Sequence, residues 1–443
     1  MRKHIHIAAV SLIALGGTAC NDDGPAKPEV TYWQDVAPIF FENCVTCHQP
    51  DSIAPFRLDT YAEAREWSVA ARQAVEERTM PPWLVTSDGS CGDFRDAKWL
   101  EDDEIATIAA WVEAGAPEGA PRDDLQIPAA SLPGEGLDDG KSEIMAVATP
   151  DYVPEPDGSS IATYDDYRCF LIDGPIDADS FLTGFEVIPG NEAMVHHMLL
   201  MVVDPDGEAV DGKTNMELMR AMDEASPDRL GWPCYSQAGE GVGVESVAVT
   251  WAPGMGPVPY PEQSGVRLRA GRVLVAQMHY NLADESVRGQ SDSTLARLRL
   301  ADEVEREGVF TGGDLLLFSG DTLAPGLSSV PYTWEVDAGE ILGQFGTDRA
   351  ELHGLFPHMH ELGQRLRVEI IDPDDSAQCA AEVERWDFHW QLLYFYERPL
   401  EIQQGQRLRV TCEYDTSDRT EPVLPGWGTQ NEMCFTGLYL ILP

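Results

Sequence analysis

The spacing of apolar residues changes along the chain, and each change marks a different kind of element. From about residue 31 to 119 the spacing is helical. TYAEAREWSVAARQAVEER (60–78) holds neither Gly nor Pro, and EDDEIATIAAWVEAGAPEG (101–119) sets Ile105, Ile108, Ala109 and Val112 along one face. Asp102 or Asp103 is placed to cap that last helix, and Gly115 with Pro117 to end it. Residues 120–140 are rich in Pro, Gly and Asp, as a linker is. Beyond them the pattern alternates in short runs, MLLMVVD, RVLVAQMHY, RLRVEIID and RLRVTCEY, broken by Gly, Pro and Asp. That rhythm predicts two all-β units with sandwich-like packing, 141–303 and 304–443. At 443 residues the chain has material for two to four cores.

The first twenty residues follow another grammar. MRKHIHIAAVSLIALGGTAC opens with Arg2 and Lys3, runs apolar from Ile5 to Leu15 and ends in small residues before Cys20. This is the form of an export signal, and it is too short to span a bilayer as a helix. The small residues before Cys20 and the polar NDDGPAKPE after it resemble a bacterial lipoprotein signal, although Gly17 stands where Leu is usual. The expectation is an exported protein, in the periplasm or cell envelope, held to the membrane by a lipid on Cys20, with residues 21–30 as tether. With 30 Lys+Arg against 76 Asp+Glu, the net charge of −46 would repel phosphate backbones, so nucleic acid is excluded as a partner. The acidic residues are spread along the chain and read as a solvated surface.

The helical segment carries Cys44-Val-Thr-Cys47-His48. Two thiols at this spacing each form a thioether to a haem vinyl group, and the adjacent imidazole becomes the proximal iron ligand. A zinc or redox dithiol is the alternative, but zinc needs further Cys or His, and only the distant Cys91 is at hand. Met80, in RTMPPW, is the only methionine between Met1 and Met145 and offers a sixth ligand, on a loop that two prolines stiffen. His/Met ligation fills both axial positions and favours electron transfer. On CVTCH, Met80 and the helix of Trp111, residues 31–119 resemble a single-haem class I cytochrome c. Export agrees, since that family acquires its haem outside the cytoplasm.

Seven of the ten histidines remain once His4, His6 and His48 are assigned. Five lie in β-rich motifs: His196 and His197 in VHHMLL, His279 in QMHYN, and His358 and His360 in FPHMHELG. On a strand, residues i and i+2 share a face, so His358 and His360 offer two imidazoles to one point. Adjacent His196 and His197 share a metal only where the strand ends or bulges, and His279 would complete three nitrogens. Met433, in NEMCFTGLYLILP, offers a thioether to the His358–His360 pair, and two imidazoles with a thioether favour copper. Each of these residues taken singly reads equally as a hydrogen-bonded histidine or a core methionine.

Taken in order, HH, MH, HMH and EMC resemble the motif set of the copper type II, ascorbate-dependent monooxygenases, over roughly residues 141–443. The resemblance implies two jelly-roll copper domains facing across a cleft. His196, His197 and His279 would hold the electron-storing copper, and His358, His360 and Met433 the copper where O2 binds and a substrate C–H bond is hydroxylated. It also implies two copper ions and ascorbate or another one-electron donor, with O2 and a small molecule as substrates. Disulfides Cys412–Cys434 and Cys169–Cys234 follow from the same resemblance. Cys91 and Cys379 are left over, and we expect them to pair and tie the helical part to the copper part. His353 and His389 match no ligand position and read as structural, with His389 in WDFHWQ the better placed to line the cleft. The family's peptide-amidating members carry Arg two residues before HxH and Tyr four residues after the methionine; here these are Phe356 and Gly437. A glycine-extended peptide therefore fits poorly and an apolar or aromatic substrate better. The fused cytochrome suggests that haem c feeds the coppers. A non-catalytic copper and haem electron carrier is the alternative reading.

Overall fold

The computed structural model describes residues 30–443 apart from 51–53, 55, 123, 127–136, 157–163, 173, 175, 236–237, 254, 312–320 and 427–430. The export signal and Cys20 lie outside the described residues. So described, the molecule is mostly β-sheet with few helices. None of its helices is long and apolar enough to cross a membrane.

Helices Ala37–Asn43, Tyr61–Glu66, Ser68–Glu76 and Asp102–Glu113 surround a core of Tyr32, Phe40, Leu58, Ile108 and Trp111. The run 60–78 forms two helices, because the chain turns at Trp67, whose ring stacks on Phe56 at 4.3 Å. One local expectation needs correction. The last helix is capped at Glu101 rather than Asp102 or Asp103, with the Glu104 carboxylate accepting the Glu101 N–H at 2.8 Å. Asp102, Asp103 and Glu104 fall in its first turn, where carboxylates suit the helix dipole.

The β part is built around one nine-stranded sheet. It starts with strands Glu143–Ala148, Leu295–Ala301, Ser180–Ile188 and Ser264–Leu268, and ends with Phe435–Ile441, Arg349–His358 and Tyr394–Gln403. Strand Arg306–Thr311 joins the halves, parallel to Ser264–Leu268 and antiparallel to Phe435–Ile441. A five-stranded sheet backs the first half and a four-stranded sheet the second, giving two sandwiches that share a sheet. The first core gathers Phe185, Leu200, Met278 and Tyr280, the second Leu352, Leu366, Val410 and Leu440. Three disulfides fasten the chain: Cys91–Cys379, Cys169–Cys234 and Cys412–Cys434.

Both histidine groups lie where strands end or lose register. In Val195–Val203 the pairing with Val273–Asn281 slips between Val195 and His197, leaving His196 as the extra residue of a bulge. Strand Arg349–His358 slips at Gly354, where a Cβ would come within 2.7 Å of the Phe395 ring, so the close pairing requires glycine.

Candidate metal centre

The bulge answers the difficulty posed by adjacent histidines. His197 stands across from His279 in the ladder, and the extra residue at His196 turns both rings of the pair to one side. His279 Nδ1 then lies 3.0 Å from His196 Nδ1 and 3.2 Å from His197 Nδ1. Opposite its ladder neighbour Tyr167, the His279 ring stacks at 4.0 Å, which fixes its plane. Its Nε2 donates to the buried Asp165 carboxylate at 2.8 Å, so the Nδ1 lone pair faces the other two rings.

Three ring nitrogens so close cannot all be satisfied by protons, because one N–H bridges at most two of them. Nitrogens bound at about 2 Å to one ion stand about 3 Å apart, as these do. Burial pushes His196 and His197 well below the ordinary histidine range, with the neighbouring imidazoles adding to the effect. His196 and His197 are therefore uncharged at neutral pH, with lone pairs to offer a cation. The His196 Nε2 is itself buried with no hydrogen-bond partner.

The second group lies at a strand end. His358, the last residue of its strand, pairs with Phe435, two residues after Met433, and the His358 and His360 rings meet edge-on at 5.1 Å. His360 Nδ1 lies 3.0 Å from the Asn431 carbonyl, which only accepts, so Nδ1 holds the proton and Nε2 the lone pair. The Gln391 amide nitrogen donates to the Phe388 carbonyl, which turns its oxygen toward His358 Nδ1 at 2.6 Å. That hydrogen bond leaves His358 Nε2 free as well. Burial lowers His358 to about 4 and His360 to about 3. Glu432 clamps the turn by accepting the backbone N–H groups of His360 at 3.0 Å and Leu362 at 2.7 Å. Burial pushes its carboxyl up to about 8 against the pull of those donors. Met433 is buried, and its carbonyl accepts from Tyr414 Oη at 2.7 Å.

The two groups are neighbours. Phe388 stacks on His196 at 4.3 Å and meets His360 edge-on at 6.2 Å. This corrects the expectation for His389, whose side chain is 84% exposed beside Asp387. The apolar ring of Phe388 takes the inward position and the His389 ring faces water. His353 bonds Glu351 at 2.7 Å, in a structural role. Asp165, Gln391, Glu432 and Phe388 were missed in the sequence, where a lone acid, amide or aromatic has no diagnostic spacing.

In the helical segment, Cys44 and Cys47 are not bonded to each other. Burial pushes both thiols up, Cys44 to about 12, the reverse of what a redox dithiol needs. His48 Nδ1 donates to the Phe56 carbonyl at 3.1 Å, leaving Nε2 free. Met80 lines a cavity with Trp83, Lys98, Trp99 and Leu100, and the Lys98 charge pulls both thiols down against the effect of burial. Cys44, Cys47 and His48 are not among the residues that line that cavity. Free thiols, a directed imidazole and a methionine are the donor types that a covalently bound haem needs.

The chain is 22% identical over 366 residues to tyramine beta-hydroxylase of Caenorhabditis briggsae, covering 78% of this chain and 54% of that protein. It is 24% identical over 264 residues to dopamine beta-hydroxylase of Homo sapiens, covering 56% and 38%. With DBH-like monooxygenase protein 1 of Mus musculus the identity is 26% over 203 residues, covering 44% and 33%. The chain thus spans about half or less of the length of these relatives. Residues 345–441, which include His358, His360 and Met433, match the family of the copper type II ascorbate-dependent monooxygenases through its C-terminal domain.

Proposed function

We propose that this chain is an exported copper monooxygenase that hydroxylates an unactivated C–H bond of a small organic substrate with O2 and two electrons, and that haem c on residues 31–119 relays electrons to it. The observation that carries the reading is the convergence of three Nδ1 atoms at 3.0 and 3.2 Å, beside a histidine pair whose own Nδ1 atoms are tied away. His196, His197 and His279 would hold one copper ion, and His358, His360 and Met433 the other. Copper, when bound, supplies the one-electron steps and the activation of O2. The protein's own groups do the rest. Asp165, Gln391 and the Asn431 carbonyl hold protons on the outer nitrogens, and Phe388 stands between the groups.

Phe356 is buried with its ring parallel to that of His358 at 6.1 Å, where a carboxylate-binding Arg would otherwise stand. An apolar or aromatic substrate suits this wall better than a peptide carboxylate. Ascorbate or another one-electron donor would supply electrons, Cys44, Cys47, His48 and Met80 would hold the haem, and Cys20 would carry the lipid anchor. The three disulfides support an oxidising compartment.

Oxygen uptake by copper- and haem-loaded protein, with excess reductant and a library of aromatic, amine and aliphatic compounds, tests the reading. Substrate-dependent uptake matched by one added oxygen atom in the product, and abolished in Met433→Ala, is expected. Uptake that never depends on a compound would favour the electron carrier, and substrate-dependent uptake that survives the substitution would remove Met433 from the site.

A further inference from the structure

The chain leaves the helical core at Met80 and enters the second sandwich. Leu84, Val85 and Phe94 are part of the core of that sandwich, not of the helices. Thr86 N–H donates to the Glu382 carbonyl and Arg95 N–H to that of Phe395, while Glu397 N–H donates to the Asp93 carbonyl. Val85 bridges to Val383 and Phe94 to Tyr396 as in a sheet, and the Cys91–Cys379 disulfide closes the same joint. Arg385 adds two hydrogen bonds to the Arg78 carbonyl. These contacts end on residues 379–398, in or next to the strands of the second sandwich. Backbone pairing, core packing and a covalent bond together make the joint rigid, not a tether.

Trp83 occupies the centre of this joint. It lines the cavity that Met80 faces, and its indole N–H donates to Ser87 Oγ at 2.9 Å, which fixes the ring. The ring meets Tyr394 edge-on at 4.9 Å, and Tyr394 Oη accepts the Leu84 N–H at 3.2 Å. Tyr394 pairs with Leu355 on the strand that ends at His358. Gln391, three residues before Tyr394, is the residue that accepts the His358 Nδ1–H. Ring contact, a short length of backbone and one hydrogen bond thus connect the Met80 cavity to His358. From the joint, the His196–His197–His279 cluster lies further on, with Phe388 standing between it and His360.

We infer that electrons leaving the haem of the helical segment arrive first at the metal held by His358, His360 and Met433, through Trp83 and Tyr394, and not at the His196–His197–His279 cluster. The inference rests on the haem and copper reading above. In the step, one electron moves: the haem iron goes from ferrous to ferric and the copper from cupric to cuprous. No atom or proton changes place.

The test uses the full chain, haem-attached and copper-loaded, under anaerobic conditions. A photoexcited reductant delivers one electron to the haem, the ferrous α-band is followed in time, and freeze-quenched samples report the Cu(II) EPR signal. His279→Ala leaves copper at the second group alone, and His360→Ala leaves it at the first. Fast decay of the ferrous band is expected in the parent and in His279→Ala, with loss of the fast phase in His360→Ala. Trp83→Leu, compared with the parent at matched haem and copper content, should lose the fast phase, and Trp83→Phe, which keeps a ring at the joint, should recover part of it. Equal decay in His360→Ala and His279→Ala, or an unchanged fast phase in Trp83→Leu, would overturn the route while leaving haem-to-copper relay intact. A ferrous band that persists in every copper-loaded form would overturn the relay itself, and the route with it.

Discussion

Asp165 and Gln391 decide which nitrogen of a histidine faces inward. Each lies far from its histidine in sequence, Asp165 by 114 residues and Gln391 by 33. Partners of this kind typically contribute 10–100-fold to metal affinity, on the order of that factor being lost when they are removed. Asp165→Asn should therefore weaken copper binding at the His196–His197–His279 group by about that factor and spare the other, and Gln391→Leu should do the reverse. Chelator competition followed by EPR measures both, and equal weakening at both groups would mean that the residues hold the fold and not the ligands. The same burial that frees the lone pairs sets a pH dependence. Unfolded histidines bind protons near about 6.5, whereas folded His358 and His360 resist until about 4 and about 3. The unfolded state thus holds more protons in that interval, so the stability these groups contribute is complete above about 6.5 and lost as pH falls toward about 3. Thermal unfolding of the metal-free protein should move to lower temperature between pH of about 6.5 and 5, above the range where most carboxylates titrate. A flat melting temperature there would contradict the neutral, buried state of the imidazoles.

At the scale of elements, the site depends on where strands depart from regularity. The bulge at His196 allows neighbours in sequence to face one point, and the Arg349–His358 strand ends at His358, opposite Phe435 and two residues from Met433. The return of the chain to Met433 is held by Cys412–Cys434, whose loop spans 22 residues, and by the Glu432 carboxylate on two backbone N–H groups. Replacing both cysteines by serine should cost about 2–5 kcal/mol of stability, the usual range for a native disulfide. It should also release copper from the Met433 group at lower chelator concentration than from the other, which a chelator titration of the double variant would show. Loss of stability without any difference between the two groups would separate the disulfide from the positioning of Met433.

Over the whole molecule, the shared nine-stranded sheet and the joint of residues 83–95 make the parts interdependent. Residues 304–443 expressed alone would expose the edge of Arg306–Thr311 and the core surface covered by Leu84, Val85 and Phe94. An unpaired strand edge beside an uncovered apolar face promotes association. That fragment should elute as aggregate in size-exclusion chromatography, and a well-behaved monomer would show that the sandwich closes without its neighbours.

The order of motifs along the chain was enough to assign the histidines, the methionine and the haem-type cysteines to candidate sites, because donor chemistry and local spacing are properties of the sequence itself. The alternation of apolar residues likewise marked the β part, since side chains on a strand alternate faces whatever the strand pairs with. The tertiary structure decided what depends on meetings between distant residues. Register set His358 against Phe435, two residues from Met433, and buried hydrogen bonds to Asp165, Gln391 and Asn431 chose the inward nitrogens. Packing turned Phe388 inward and His389 out. The course of residues 83–95 into the second sandwich was equally hidden, because Leu84, Val85 and Phe94 are apolar enough for either core, and only the surface they meet determines which one they join.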